Sequence, residues 1–119
     1  MSHPSSFSAE ITIPPSSNNA YANVPGRGRV STAAHKAWKR AAGWELAALK
    51  PPKFVCPYRL TIQVPYKLRG DVSNRIKLAE DLLVSLGITP DDRNAVSVTA
   101  ERSPDVPEGR FIVTVRAAQ

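Results

Sequence analysis

Two pairs of adjacent prolines, at 14–15 and 51–52, fix where two segments of regular structure must end. Proline cannot donate to a sheet ladder, and it breaks the interior of a helix. Before the first pair, apolar residues alternate over 7–13, which predicts a strand. Before the second pair, a Ser-Thr capping dipeptide at 31–32 and helical spacing of apolar residues predict a helix to about residue 49.

The remaining segments switch between the strand period and the helix period. Residues 58–66 alternate and predict a second strand, whereas 74–86 place leucines on one helical face. Residues 95–101 and 110–116 alternate again around a turn-rich stretch, which predicts a hairpin of two neighbouring strands. The stretch 16–30 is rich in Asn, Gly, Ser and Pro, and we expect a long loop there.

The predicted order of elements is therefore β-α-β-α-β-β. A chain of 119 residues suffices for one domain, spanning 1–119, and is too short for two. The simplest way to bury these faces is an α+β fold, with a mixed sheet of about four strands and two helices on one face.

The charge balance favours an anionic partner. The chain has 16 Lys and Arg against 10 Asp and Glu, a formal net charge of +6, which is typical of nucleic-acid-binding domains. No apolar run approaches the length that spans a bilayer, and the first residues lack the pattern of a signal peptide. With Cys56 as its only cysteine, the chain is expected to be cytoplasmic.

Polar residues that carry chemistry cluster after the second strand. Asp71 lies where a basic turn leads into the second helix, and Asp91-Asp92 follow that helix. On the helix, Asn74, Lys77 and Asp81 fall within an arc of about 60°, opposite the leucine face. A strand adjacent to the first would bring Asp91-Asp92 back near Asp71.

Clustered carboxylates repel one another unless a cation lies among them, and Mg²⁺ prefers oxygen ligands. A metal held in this way stabilises charge on a phosphodiester, and a neighbouring Lys neutralises the leaving oxygen. The residue types therefore fit phosphodiester hydrolysis. Their spacing alone is equally typical of an Asp-rich turn and of a surface i,i+4 ion pair between Lys77 and Asp81.

The chain resembles the RusA-type Holliday junction resolvases. The family pattern is Asp, any residue, Asp-Asn, a Lys three residues later, an acid four residues after that, and an Asp-Asp pair beyond the helix. Asp71, Asn74, Lys77, Asp81 and Asp91-Asp92 occupy matching positions. The likeness extends to Pro-Pro-Ser-Ser-Asn-Asn at 14–19 and to Arg-Gly-Arg before the first long helix, so that it covers nearly the whole chain.

The resemblance implies a homodimeric endodeoxyribonuclease that uses Mg²⁺, or Mn²⁺ as a substitute, to cut four-way junctions and other branched DNA. It assigns catalysis to Asp71, Lys77 and Asp92, with Asp71, Asp92 and Asp81 as metal ligands. Ser73, Asn74 and Asp91 would hold water or ligands in place around the metal. Phosphate contacts are expected from the basic residues on flanking loops: Arg27, Arg29, Lys67 and Arg69.

One position departs from the family pattern. Ser73 stands where the family has its second acid, and serine supplies no charged ligand, although its hydroxyl binds a metal-held water. Ser73 also suits the N-cap of its helix. The alternative to an active nuclease is therefore a protein that binds junctions or other DNA structures on the same scaffold without efficient cleavage. A nucleic-acid-binding domain with no junction preference is a more distant alternative.

Overall fold

A computed structural model describes residues 6–70 and 72–118, with only the backbone described at Ser17 and Asp92. The strands are β1 (Ser6–Thr12), β2 (Tyr21–Val24), β3 (Gly28–Ser31), β4 (Tyr58–Pro65), β5 (Ala95–Ser103) and β6 (Arg110–Ala117). The helices are the short α1 (Ser17–Ala20), α2 (Ala33–Ala48) and α3 (Val72–Ser85), and a 3₁₀ turn spans Asp92–Asn94.

The predicted α+β class is confirmed. A mixed four-stranded sheet has the order β1-β6-β4-β5. Strand β6 is antiparallel to both β1 and β4, whereas β5 runs parallel to β4. The parallel pair is joined through α3, because parallel neighbours need a crossover connection.

The core lies on one face of the sheet. Alternate residues of β1, β4 and β6 are buried, and they pack with the apolar faces of α2 and α3 in a single cluster. Both long helices therefore cover the same face. The members with almost no exposed surface include Ile11, Leu46, Tyr58, Leu60, Ile62, Leu83, Phe111, Val113 and Val115.

The prediction that the last two strands form a hairpin is wrong. Strand β5 pairs with β4, and β6 lies on the other side of β4. The alternating pattern gives the face that each residue occupies, but it does not identify the neighbouring strand. The valines used to match the two strands, Val96 and Val98, are 51% and 41% exposed, unlike their supposed partners in β6.

Residues 16–30 are not a simple loop either. They form α1 and an antiparallel β2–β3 hairpin, with Tyr21 opposite Ser31 and Val24 opposite Gly28. Gly26 and Gly28 have φ values of 78° and 75° in and beside its turn, a conformation that favours glycine. These strands have 4 residues each and no apolar alternation, so the period-two signal was absent.

A half-buried polar network joins α2 to the first and last strands. Glu45 accepts hydrogen bonds from the Thr12 backbone N–H at 2.7 Å and from Arg110 at 2.8 Å. Arg110 also pairs with Glu10 across the β1–β6 ladder, with 3.2 Å between Nε and the carboxylate. About two turns earlier in α2, the Trp38 indole donates to the Thr12 carbonyl at 2.8 Å.

None of the helices within 6–70 and 72–118 has the length and apolar character needed to cross a membrane.

Candidate functional site

The polar face of α3 forms one wall of an open cleft. The opposite face of this helix buries Ile76, Ala79 and Leu83 in the core, which fixes its rotation. Asn74, Lys77 and Asp81 consequently share the outer side, as the helical spacing predicts, and all three line the cleft.

The other wall of the cleft is the β2–β3 hairpin. It contributes Tyr21, Arg29 and Ser31, and the enclosed volume is about 380 Å³. Arg29 was predicted to contact DNA from a loop. The structure places it opposite the predicted α3 residues, on a strand instead of a loop.

Within the cleft, Lys77 and Asp81 form an ion pair, with 3.3 Å between Nζ and Oδ1. The two side chains are 51% and 53% exposed, so solvent screens the pair and it adds only a few tenths of a kcal/mol to stability. The i,i+4 pair that the spacing predicts is thus present. It keeps an ammonium group on the cleft wall.

The Arg29 guanidinium lies over an aromatic ring. Its guanidinium carbon lies 4.1 Å from the centroid of the Tyr21 ring, a cation–π contact. This contact orients the planar donor fork of Arg29, the group that matches phosphate geometry best.

His35 lies beneath the hairpin, although it stands in a basic stretch of α2 beside Lys36. It is 3% exposed, with its ring edge-on to Tyr21 at 5.0 Å and stacked on Trp38 at 6.3 Å between centroids. Neither ring nitrogen meets the geometry of a hydrogen bond with a described residue. The signal was available in the sequence, since 35, 38, 42 and 46 follow the spacing of one helical face.

Burial lowers the pKa of His35, and the nearby Lys39 ammonium lowers it further. The Ala20 backbone and the Asp81 carboxylate act in the opposite direction and only moderate the shift. The imidazole under the hairpin is therefore neutral around pH 7.

The Asp91-Asp92 segment lies away from the cleft. The Asp91 carbonyl accepts a hydrogen bond from the Tyr58 hydroxyl at 3.1 Å, and its carboxylate accepts from the Arg93 backbone N–H at 3.1 Å. The same carboxylate lies 3.5 Å from Arg93 Nε. Asp92 begins the 3₁₀ turn that leads into β5, and its side chain lies outside the described part of the structure.

Asp71 lies outside the described residues, but its chain neighbours are described. Val72 begins α3, and Arg75 in the first turn donates a hydrogen bond to the Pro14 carbonyl just after β1. The chain reaches this point from Pro65, at the end of β4.

The start of α3 and the 3₁₀ turn lie at opposite ends of the sheet. The parallel register sets Ala95 beside Tyr58, at the beginning of β4, whereas α3 begins beyond the end of β4. A helix of 14 residues is about 20 Å long. The prediction brings Asp91-Asp92 back near Asp71, which lies outside the described residues; the described backbone puts the start of α3 and the 3₁₀ turn at opposite ends of β4. A strand parallel to β4 must begin where β4 begins.

Asp81 is likewise distant from the start of its own helix. Nine residues of helical rise separate it from Val72 by about 13 Å. The predicted three-carboxylate metal site, with Asp71, Asp81 and Asp92 together, therefore has no support from the backbone of one chain.

Among the residues described, no group of three or more His, Cys, Asp or Glu side chains is arranged to hold a metal. Within that same part of the chain, Asp81 is the only carboxylate lining the cleft, and Lys77 already neutralises it. These residues alone do not fit a magnesium site.

The other predicted residues do not line the cleft. Ser73 is exposed within the first turn of α3, one residue after the helix begins, so it is not the N-cap. Lys67 and Arg69 line a separate depression with Glu108. Arg27 is exposed in the β2–β3 turn.

The sequence reasoning missed the aromatic and polar side chains of the hairpin, Tyr21 and Ser31. Their short strands carry no periodic signal, and only the order Asn-Asn-Ala-Tyr after the first prolines pointed to this segment. Comparison with protein-family models and with curated proteins finds no match to this chain. The RusA resemblance therefore rests on the residues of this sequence.

Proposed function

We propose that this protein is a Mg²⁺-dependent endodeoxyribonuclease that cuts four-way junctions and related branched DNA, as the RusA resemblance implies. The observation that supports it best is the cleft between α3 and the β2–β3 hairpin. There Lys77, Asn74 and Arg29, which the sequence singles out on different grounds, line a single surface.

The chemistry of the cleft suits a phosphodiester. Arg29 presents a planar donor fork and Lys77 a compact ammonium, the two groups that bind phosphate most effectively. The net charge of +6 would attract DNA over a longer range. In this proposal Asp81 is a positioning residue, since it holds the Lys77 ammonium on the cleft wall.

Metal binding depends on Asp71 and Asp92, the two acids whose side chains are not described. A bound Mg²⁺ supplies charge stabilisation at the scissile phosphate and an activated water. Lys77 would hold the phosphate or neutralise the leaving oxygen.

A site that uses both acids has to draw on two chains. Within one chain, α3 starts beyond the end of β4 and the 3₁₀ turn lies at the beginning of β4, and the helix that spans these two ends is about 20 Å long. In a two-fold homodimer, the start of α3 in one protomer can face the 3₁₀ turn of its partner, and the symmetry then creates two equal sites. Two equal sites match the near two-fold symmetry of a four-way junction.

The deciding experiment is cleavage of a synthetic four-way junction with and without Mg²⁺ or Mn²⁺. We expect cleavage only with metal, loss of cleavage but not of binding in Asp71→Asn, and a strong loss of cleavage in Lys77→Ala. A metal-independent nick, or no cleavage at any metal concentration, would overturn the nuclease proposal.

Mixing two inactive variants tests the shared site. In an Asp71→Asn/Asp92→Asn heterodimer, a composite arrangement leaves one site with both acids intact, so the mixture regains nicking activity. If each site lies within one chain, both sites of the heterodimer carry a defect and the mixture stays inactive. Size-exclusion chromatography with light scattering provides the control that the proteins dimerise and exchange.

A junction-binding protein without cleavage is the second candidate. Ser73 in place of the second family acid favours it, as does the lack of an acidic cluster among the described residues. Such a protein would bind junctions without taking up Mg²⁺ or Mn²⁺ in a calorimetric titration. Cleavage by Ser73→Asp but not by the natural chain would establish this alternative.

A further inference from the structure

The hairpin wall continues past the cleft into a second polar depression. Asn18, Ala22 and Asn23 line this depression, together with Tyr21 and Arg29, which also line the cleft. The stacked Tyr21–Arg29 pair therefore stands between two adjoining concave surfaces. Together they form a track from α3 across the hairpin, which we call the hairpin track.

The hairpin track is anchored from below. The Thr32 backbone N–H donates to the Ala20 carbonyl at 2.9 Å, and the Thr32 hydroxyl donates to the Asn19 carbonyl. The Tyr21 ring rests on the buried His35 ring. These contacts fix the hairpin backbone on the first turn of α2, so the positions from which its outer side chains project are set before a ligand arrives.

The outer part of the hairpin track is polar and uncharged. Asn18 and Asn23 are exposed, and no hydrogen bond joins either side-chain amide to another described residue. A side-chain amide donates through its NH₂ group, which suits a phosphate or sugar oxygen. No acidic side chain is among the described residues that line this outer part, so an anion meets no repulsion there.

We propose that the hairpin track binds the sugar–phosphate backbone of one DNA strand over successive nucleotides. Arg29, which lies over the Tyr21 ring, contacts one phosphate. The Asn18 and Asn23 amides contact the sugar–phosphate backbone of the adjacent nucleotides. This inference rests on the proposed function, which supplies DNA as the ligand. It adds Asn18 and Asn23, to which the family resemblance assigns no role. It also predicts that the bound DNA strand runs from α3 outward across the hairpin.

Salt dependence separates the two kinds of contact. A cation that neutralises a phosphate releases counterions, so its loss lowers the slope of log affinity against log salt by about one. A neutral amide releases none. Binding of a four-way junction is therefore measured in EDTA over a range of salt for Arg29→Ala, Asn18→Ala and Asn23→Ala. Matched controls are Arg116→Ala and Gln63→Ala, which alter outward residues of the uncovered sheet face.

We expect Arg29→Ala to weaken binding about tenfold or more and to reduce the salt slope by about one. Asn18→Ala and Asn23→Ala should each weaken binding about threefold to tenfold with the slope unchanged. Tyr21→Phe keeps the ring and should bind like the natural chain, whereas Tyr21→Leu should resemble Arg29→Ala. The two controls should bind like the natural chain.

Natural affinity in both asparagine variants, with weakened binding in Lys77→Ala, would overturn the hairpin track and leave the proposed function standing. Absence of junction binding by the natural chain would overturn the proposed function itself. Because both asparagines are exposed and their side-chain amides form no hydrogen bond with a described residue, we expect the substituted chains to fold, and the test remains decisive.

Discussion

The buried imidazole of His35 is expected to make the stability of this fold depend on pH near neutrality. His35 is enclosed by Tyr21 and Trp38, and burial lowers its pKa in the folded chain. The groups that act on its charge are Lys39 from its own helix and Asp81 from α3. The unfolded chain therefore binds the proton more readily than the folded chain does.

Because the unfolded chain binds this proton more readily, we expect the free energy of unfolding to fall as the pH drops below about 6.5, the ordinary pKa of histidine. Urea unfolding at pH 8, 6.5 and 5 should show this loss in the natural chain. His35→Phe keeps an aromatic ring against Tyr21 and should flatten that part of the pH profile. An equally steep decline in His35→Phe would assign the effect to other groups.

The Thr32 side chain forms two hydrogen bonds at the start of α2. Its hydroxyl oxygen accepts from the His35 backbone N–H at 3.2 Å and donates to the Asn19 carbonyl. We expect Thr32→Ala to lower the free energy of unfolding by about 1–2 kcal/mol, the usual effect of losing an N-cap. Thr32→Ser retains the hydroxyl and should lose much less in the same urea titration.

At the scale of elements, the polar network around Glu45 joins α2 to β1 and β6. Burial alone would raise the pKa of Glu45, but the Thr12 N–H and the Arg110 guanidinium outweigh it and lower the pKa. The contribution of the network is therefore complete above about pH 4.5 and is lost as the pH falls through the lower pKa of the folded state.

We expect Glu45→Ala to reduce the free energy of unfolding by about 1–3 kcal/mol, because the Thr12 N–H and part of the Arg110 guanidinium lose their hydrogen-bond acceptor. The loss should appear at pH 7 and shrink toward pH 3, where the natural carboxyl is protonated. Chemical unfolding at both pH values measures this. Glu101→Ala, at an exposed position of β5, serves as a control and should change the free energy of unfolding little at either pH. A pH-independent loss in Glu45→Ala would point to packing.

Elements with a strong periodicity of apolar residues could be predicted from the sequence, but the strands that pair with each other could not. The apolar face of α2 and α3 and the alternation in β4 locate these elements from the sequence alone. Strand pairing depends on contacts between distant segments, so the place of β6 between β1 and β4 had no local signal. The α3 half of the candidate site was predictable for the same reason, since Asn74, Lys77 and Asp81 need only helical geometry.

At the scale of the whole molecule, the net charge of +6 predicts a strong response of DNA binding to salt. If the protein neutralises four or more phosphates, affinity should fall by about a hundredfold or more between 50 and 200 mM salt. Fluorescence anisotropy with a labelled junction checks this. A flat response would remove nucleic acid as the partner, and a competing linear duplex at fixed salt tests preference for branched DNA.

The central position of β6 also has a consequence for how the chain is made. During translation, β1 is made before the other strands of this sheet, yet its neighbour in the described sheet, β6, is the last of these strands to emerge. Until β6 emerges, no strand connects β1 to the β4–β5 pair, and the apolar faces of these strands remain incompletely covered. We expect a nascent chain arrested before residue 110 to be sensitive to protease throughout, and protection to arise in one late step.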